Sequence, residues 1–576
     1  MTRTIPLKKL ILVGPSAFVL GCGQLLGANF DGLPVRPTDV EEPDAGPAGD
    51  AADGVPDRGD GDGHVPLDQR CTPSCPADGT LECDSGRQIR VCQSSDGCLH
   101  WVLLPPCNAG SICCEGTCSL TPRCGDSDDY YVDATAVSTA DGSTGDGTKD
   151  HPFRTITAAL RAAGAKRIHV ANGTYNSDLG EVFPLVVRGA SLLGGDTAKT
   201  IIEGLGYFDP ALTGGIAKGP VDTALVVGDA RATTLLSDLT IRVPGRRTID
   251  NVGLVCNRGT ATPSRDAASL PNTIVTRVVV DGFDNGFDVL SSHTPYSGCN
   301  LKMTSSIVRS GVDGIYVPAC DHPNQAPRSL DIGDETAMLG NVFELFEPWP
   351  GGPGGAGLDV GDCTTHVTVR HNTFRNSYAG ISIVQYDPPA NSFVVTDNKF
   401  QDLTGMGIGI FGASALVQDL SGNSFTNIFA AQIRHFQGVA LIIDAAGDTT
   451  APRIVKARSN TFVGNEVGID FRGGPPFRLA SPVSDFGTRD DPGRNVFRCN
   501  SSSVSTLPGA DLRVFTGGDG TVSLPFWGNT WDHAPPTSAI AESNGIDILM
   551  LSTQPPVVDA NGASTSSDAC PSGHAP

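Results

Sequence analysis

The chain has 576 residues, among them 70 Gly and 42 Pro, while only 18% are charged and 6% aromatic. That balance weighs against a helical protein and suits a turn-rich all-β architecture, either as two to four domains or as one long repetitive one. A formal charge of -23 excludes nucleic acid and anionic lipid as natural partners, because both would be repelled.

Residues 1–22 read as a targeting segment. Arg3, Lys8 and Lys9 give a basic start, Leu10 to Leu20 an apolar core, and Val19-Leu20-Gly21-Cys22 the close. The apolar stretch is too short to span a bilayer and has the form of a signal peptide. Its closing tetrapeptide resembles a bacterial lipobox, which implies that Cys22 is acylated. The chain has 17 Cys, an odd number, and giving Cys22 to lipid leaves an even set that can pair in an oxidising compartment. Gly23 follows, with no aspartate to signal inner-membrane retention, so an outer-membrane address is expected, at the cell surface or on the periplasmic face. An ordinary secretory signal is the alternative, since Leu20 is bulky and Pro15 interrupts the apolar core.

From Gly23 to Arg70 the sequence is Asp, Gly, Ala and Pro with almost no apolar residue to bury, and it reads as a disordered acidic tether. Asp60-Gly61-Asp62-Gly63 only faintly has the form of a calcium loop, because it lacks a closing Glu. Residues 71–124 carry Cys71, Cys75, Cys83, Cys92, Cys98, Cys107, Cys113, Cys114, Cys118 and Cys124. So short a segment has no room for a large core, and disulfides are expected to stabilise it. Zinc is disfavoured by the absence of paired CxxC knuckles, and no metal is assigned.

A different pattern opens at residue 125. It includes Tyr131-Val132-Asp133, His151-Pro152-Phe153-Arg154-Thr155-Ile156, Ile168-His169-Val170-Ala171-Asn172-Gly173-Thr174-Tyr175, Glu181-Val182-Phe183-Pro184-Leu185, Leu193-Gly194-Gly195-Asp196 and Ile201-Ile202-Glu203-Gly204. Over about eighty residues this resembles the domain of uncharacterised function that begins many bacterial pectin-lyase-like β-helix proteins. The resemblance implies a right-handed parallel β-helix and transfers no catalytic residue. Phe153, Ile156 and Leu160 share one face of a short helix expected after Asp150 and Pro152. Such a helix would cover the open apolar end of the solenoid over residues 125–234.

Two motifs recur through residues 235–550, before a C-terminal tail at 551–576. The first is Gly, apolar, any residue, apolar, as at Gly286-Phe287-Asp288-Val289, Gly314-Ile315-Tyr316-Val317, Gly357-Leu358-Asp359-Val360, Gly380-Ile381-Ser382-Ile383, Gly407-Ile408-Gly409-Ile410, Gly468-Ile469-Asp470-Phe471 and Gly545-Ile546-Asp547-Ile548. The second is Asn, any residue, aromatic, at Asn341, Asn372, Asn398, Asn423, Asn460, Asn495 and Asn529. The repeat is about 25 residues, a solenoid period. Alternation turns the apolar residues inward and the middle residue outward. The asparagines are expected at tight bends, bonded along the stack, with the aromatics in the core. Insertions are expected at Glu344 to Ala356, Gly438 to Pro452 and Pro475 to Arg494.

The outward column then reads Asp288, Tyr316, Asp359, Ser382, Gly409, Arg434, Asp470, Arg513 and Asp547. With coils ~4.8 Å apart, Asp288 and Asp359 stand roughly 10 Å apart with Tyr316 between them. These three are the candidate catalytic residues, and His293, Asp321, His322, Asp362, Tyr386 and Asp387 on the following loops are candidate binding residues. Paired carboxylates at that separation suit an inverting glycoside hydrolase. A lyase would instead use carboxylates to hold calcium, the one cofactor considered, with Lys or Arg as base. Arg434, Asp470 and Arg513 read as a stabilising charge ladder. Cys320 and Cys363 follow their strands by three residues and are expected to pair; Cys256 with Cys299 and Cys499 with Cys570 follow by elimination. The expected function is recognition, with or without cleavage, of an extracellular polysaccharide or surface glycan by a monomer held to the membrane by its lipid alone. A non-catalytic adhesin or envelope scaffold is the alternative.

Overall fold

The computed structural model describes residues 128–570 outside a set of connecting loops, the longest being 209–220, 257–271, 290–299, 318–327 and 473–483, together with short segments between Cys75 and Ser119. Cys22 and the acidic stretch up to Arg70 lie outside the described residues. The chain divides into two compact units, one of residues 28–127 and one whose described part begins at Asp128.

In the smaller unit, strands Leu81–Ser85, Gln88–Ser95 and Cys98–Leu103 form an antiparallel sheet, and Ile112–Cys114 pairs with Thr117–Ser119. Cys75 is disulfide-bonded to Cys92, whose side chain is fully buried. The Arg90 guanidinium lies 4.6 Å above the Trp101 ring. Covalent links and a few such contacts replace the core that so short a segment lacks.

The larger unit is a parallel β-helix. Each regular coil has three strands and two sharp corners, as in Thr364–Arg370, Thr373–Arg375 and Ala379–Val384. The first two faces merge into a 23-stranded sheet and the third forms a 14-stranded one. Left-handed residues make the corners: His371, Asp397, Ser459 and Arg494 at the first, with φ of 54–56°, and Asn376, Asp402 and Asn427 at the second, with φ of 51–57°. Asn and Asp tolerate that backbone region better than most side chains.

The residue after the first corner is the motif asparagine. From Asn341 through Asn372, Asn398, Asn423, Asn460 and Asn495 to Asn529, each backbone N–H and each side-chain Nδ2 donates to the Oδ1 of the next coil's asparagine, at 2.9–3.1 Å. All seven are at most 1% exposed. Two residues further on, Phe343, Phe374, Phe400, Phe425, Phe462, Phe497 and Trp531 stack with centroids 4.6–5.0 Å apart. This stack explains the motif glycine. A Cβ on Gly380 would lie 2.5 Å from the Phe400 ring, and one on Gly407 would lie 2.6 Å from Phe425 and 2.4 Å from the Ala440 carbonyl oxygen.

A helix, Ile156–Arg161, covers the first coil and sends Ile156 and Ala159 into the core. It starts later than expected. Thr155 is the N-cap, its side chain accepting from the Ala158 N–H, and Phe153 stands before it, bridged to Val132. Glu181 takes the remaining N-terminal donors, accepting from the Ile156 and Thr157 N–H groups at 2.5 and 2.8 Å. Burial pushes its carboxyl up, although those bonds pull it back down. Leu160 is only partly buried. The stretch after Gly438, expected as an insertion, contains a regular strand, Val439–Asp444.

Asn398→Ala removes the acceptor of two bonds from Asn372 and leaves the Val369 and Thr396 carbonyls without their side-chain donor. It is expected to cost on the order of 3 kcal/mol, read as a lowered urea midpoint.

Candidate functional site

The third sheet fixes a column of outward residues by its register. Val255 pairs with Asp288, Asp288 with Tyr316, Tyr316 with Asp359, Asp359 with Ser382, and Ser382 with Gly409. The neighbours on either side of each, such as Phe287 and Val289 or Ile315 and Val317, are at most 1% exposed and line the core. The four polar residues Asp288, Tyr316, Asp359 and Ser382 therefore stand on four successive coils, ~4.8 Å apart. Apolar clusters flank them: Phe208, Val221, Val226, Val252 and Val255 towards the N-terminus, and Val439, Ile442 and Val467 with Met406 and Phe411 towards the C-terminus.

Burial differs along the column. Asp288 is fully buried, Tyr316 and Asp359 are partly exposed, and Ser382 is buried. Burial pushes the Tyr316 phenol well above its usual range, and the charges of Asp359, Asp288 and Asp313 push it further the same way. It is a hydrogen-bond donor at any physiological pH. Asp313 also accepts the Ala356 N–H at 3.1 Å, which ties the Tyr316 strand to the next coil. Gln385 is fully buried, and its Nε2 donates to the Gly361 carbonyl at 2.7 Å, which ties the Ser382 coil to the Asp359 coil. Carboxylates beside a protonated phenol accept and donate hydrogen bonds over a span of several coils, which matches a polyhydroxylated chain better than a small compact ligand.

His293, Asp321, His322, Asp362, Tyr386 and Asp387 lie outside the described residues, as do Cys320 and Cys363. Cys499 is joined to Cys570, and Cys256 is also disulfide-bonded. Two members of the expected column are corrected. Ile442 pairs with Gly409 and Asp470, so this coil presents Ile442 in the place given to Arg434. Leu549 pairs with Arg513, so the last place belongs to Leu549 and Asp547 lies two residues earlier.

Asp547 falls in the motif-glycine position, beside Asp511 on the preceding coil, because Ala510 and Leu512 pair with Ile546 and Ile548. Both acids are 2% exposed. With Asp532 they form a group, among the described residues, whose carboxylate oxygens lie within 4.8 Å of one another. The legible signal was an acid where the repeat otherwise places Gly, in Ala510-Asp511-Leu512-Arg513-Val514.

The lower column is a buried charge network. Asp470 accepts from Arg513 Nε at 3.0 Å, from Arg513 Nη2 and from Arg472. Burial opposes the charge on Asp470, but Arg472 and Arg513 outweigh it and hold the carboxyl down at about 2. A carboxyl depressed in the folded state stabilises the fold above its ordinary value of 3.8, and that stabilisation is lost as pH falls through about 2. Arg513→Met leaves a buried charge with one partner instead of two. It is expected to cost about 3 kcal/mol at neutral pH and to shift the acid-unfolding edge upward, measured by circular dichroism.

No curated protein matches the chain. Among solved structures it is similar to the catalytic unit of a thermostable GH87 α-1,3-glucanase from Streptomyces thermodiastaticus, at 12% identity over 77% of this chain and 69% of that one, with a TM-score of 0.40. It is also similar to the A-module of a mannuronan C-5 epimerase from Azotobacter vinelandii, at 13% identity over 72% and 94% of the two chains, with a TM-score of 0.28. The family described as "Protein of unknown function (DUF1565)" matches residues 138–278 and 356–538, which take in the capped first coils, part of the polar column and most of the later coils. Because those matches cover more than half of the chain, the protein belongs to this DUF1565 family.

Proposed function

We propose that the protein binds an extracellular polysaccharide along the outward face of the coils bearing Asp288, Tyr316, Asp359 and Ser382, and hydrolyses it. The observation that supports this reading is the register itself: two carboxylates separated by one phenol on consecutive coils, with no slip between them. Two strand spacings put the carboxylate backbones roughly 10 Å apart, and side chains leaning together reach the ~6.5–9.5 Å separation of inverting glycosidases.

In this scheme Asp359, the more open of the two, takes a proton from a water whose oxygen attacks the anomeric carbon. The glycosidic C–O bond breaks on the opposite face, and Asp288, which must enter the cycle protonated and be uncovered as the glycan seats, gives that proton to the departing oxygen. Tyr316 stays protonated and donates to a sugar oxygen between them. A lyase is less well served, because Arg513 is the first basic residue along this column among the described residues and stands five coils below Asp359.

The full burial of Asp288 favours a second reading, binding without cleavage, in which Asp288 only orders Tyr316 and the partly exposed Asp359 contacts the glycan. Reducing-end release and unsaturated-product absorbance on a polysaccharide panel separate the two, using the full chain in detergent with and without calcium. Hydrolysis predicts saturated reducing ends from the unaltered protein and at least a 100-fold loss in Asp359→Asn. Retained binding without product leaves the second reading, and calcium-dependent unsaturated product contradicts both.

We further propose that the chain is exported and held at the outer membrane by acylation of Cys22, with residues 23–70 as a tether. Cys22→Ser is expected to abolish labelling by radioactive palmitate and to release the protein from the membrane fraction. Unchanged fractionation would contradict the anchor.

A further inference from the structure

We propose that Asp511, Asp532 and Asp547 hold a hard divalent cation of the calcium class, which locks the last coils of the solenoid together. The three side chains come from different places. Asp511 and Asp547 are register neighbours on strands Ala510–Phe515 and Ile546–Met550, and Asp532 follows Trp531, the last ring of the aromatic stack.

Nearby donors satisfy most of the carboxylate oxygens of this group and leave one over. Asp532 Oδ2 accepts the Cys499 N–H at 2.8 Å. Asp547 Oδ2 accepts the Thr537 N–H and hydroxyl at 2.6 and 2.7 Å, and His533 Nδ1 lies 3.0 Å away. Asp511 Oδ1 accepts from Asn500 Nδ2 at 2.7 Å, at the foot of a second asparagine ladder that runs from Asn465 to Asn500. Asp511 Oδ2 is different. It is buried and no donor reaches it. Burial first, then the charge of Asp532, pushes the Asp511 carboxyl well above its usual range, and it faces Asp547 closely enough for the pair to share a proton where no cation is bound. Buried acceptors are ordinarily paired, and an orphan charged one is costly.

Position makes the acids more conspicuous. The same column holds Gly286, Gly314, Gly357, Gly380, Gly407 and Gly468 in earlier coils, where a Cβ would collide with the stack or the next carbonyl. Two consecutive coils here carry carboxylates instead, directed at each other. Of the cationic groups acting on Asp532, Arg498 is shared with Asp568 at 2.7 Å, and the His533 side chain is 47% exposed. Like charges this close need either a shared proton or a cation. The donor set is all oxygen, which selects calcium or magnesium over softer metals. The three oxygens lie within 4.8 Å of one another, close enough for one cation to bridge, and calcium tolerates an irregular oxygen set better than magnesium, which demands near-octahedral geometry and dehydrates reluctantly.

The test uses the full chain in detergent after chelation, with calcium chloride, magnesium chloride and terbium as probes. Calcium is expected to bind this site with one-to-one stoichiometry by calorimetry and to raise the Tm by about 3–5 °C, with magnesium weaker. Terbium is expected to show tryptophan-sensitised emission that calcium displaces and that Trp531→Phe reduces. Asp511→Asn should remove the calcium response, whereas Asp288→Asn should keep it, which separates this site from the polar column. A Tm indifferent to both chelator and calcium would overturn the proposal. So would an Asp511→Asn protein more stable than the parent in chelator while the parent binds no calcium, the mark of a shared proton.

Discussion

The architecture depends on one constraint: every coil must repeat the hydrogen-bonding register of the coil before it. The asparagine ladder enforces that repeat inside the molecule, where a shift by one residue would orphan a backbone N–H and a side-chain amide at each step. The phenylalanine stack enforces it again by shape, and the motif glycines are the space that the rings take. Apolar burial then supplies most of the driving force, but the ladder decides which alignment wins.

Exact repetition inside has a consequence outside. Because the inward residues are pinned, the residue between them projects at the same place on every coil, and a chain of unrelated polar residues becomes a ruled line. Asp288, Tyr316, Asp359 and Ser382 are brought together in this way without any loop having to fold around them. The mutual influence of the group is visible in Tyr316, whose phenol feels burial first and then the charges of Asp359, Asp288 and Asp313. Lower in the same column, Asp470 and Arg513 use adjacency for the opposite purpose, neutralising one another and closing the surface.

The coil pattern was legible because both motifs carry a mechanical reason for each letter. Asn398 and Phe400 could not exchange places, nor could Gly380 be replaced by a bulkier residue, so the period survives in the sequence. Coils that break the rule hide their frame. Ala440-Leu441-Ile442-Ile443 has Ala in place of Gly and an apolar outward residue, and its continuous apolar run conceals the alternation. Gly545-Ile546-Asp547-Ile548 mimics the motif two residues early, while the true frame begins at Asp547. The helix boundary moved for a different reason: Glu181, 25 residues downstream of Ile156, supplies the cap that local sequence could not reveal. Asp511 and Asp532 meet only through the coil stacking, so neither suggests the other along the chain.

The central claim is that the register-locked polar column is where a glycan chain lies. Amide hydrogen exchange with and without a bound oligosaccharide measures it directly, strand by strand. Protection concentrated in Asn285–Asp288, Asp313–Val317, Ala356–Val360 and Ala379–Val384 is the result expected. Protection confined to the other two faces, with those four strands unchanged, would contradict it.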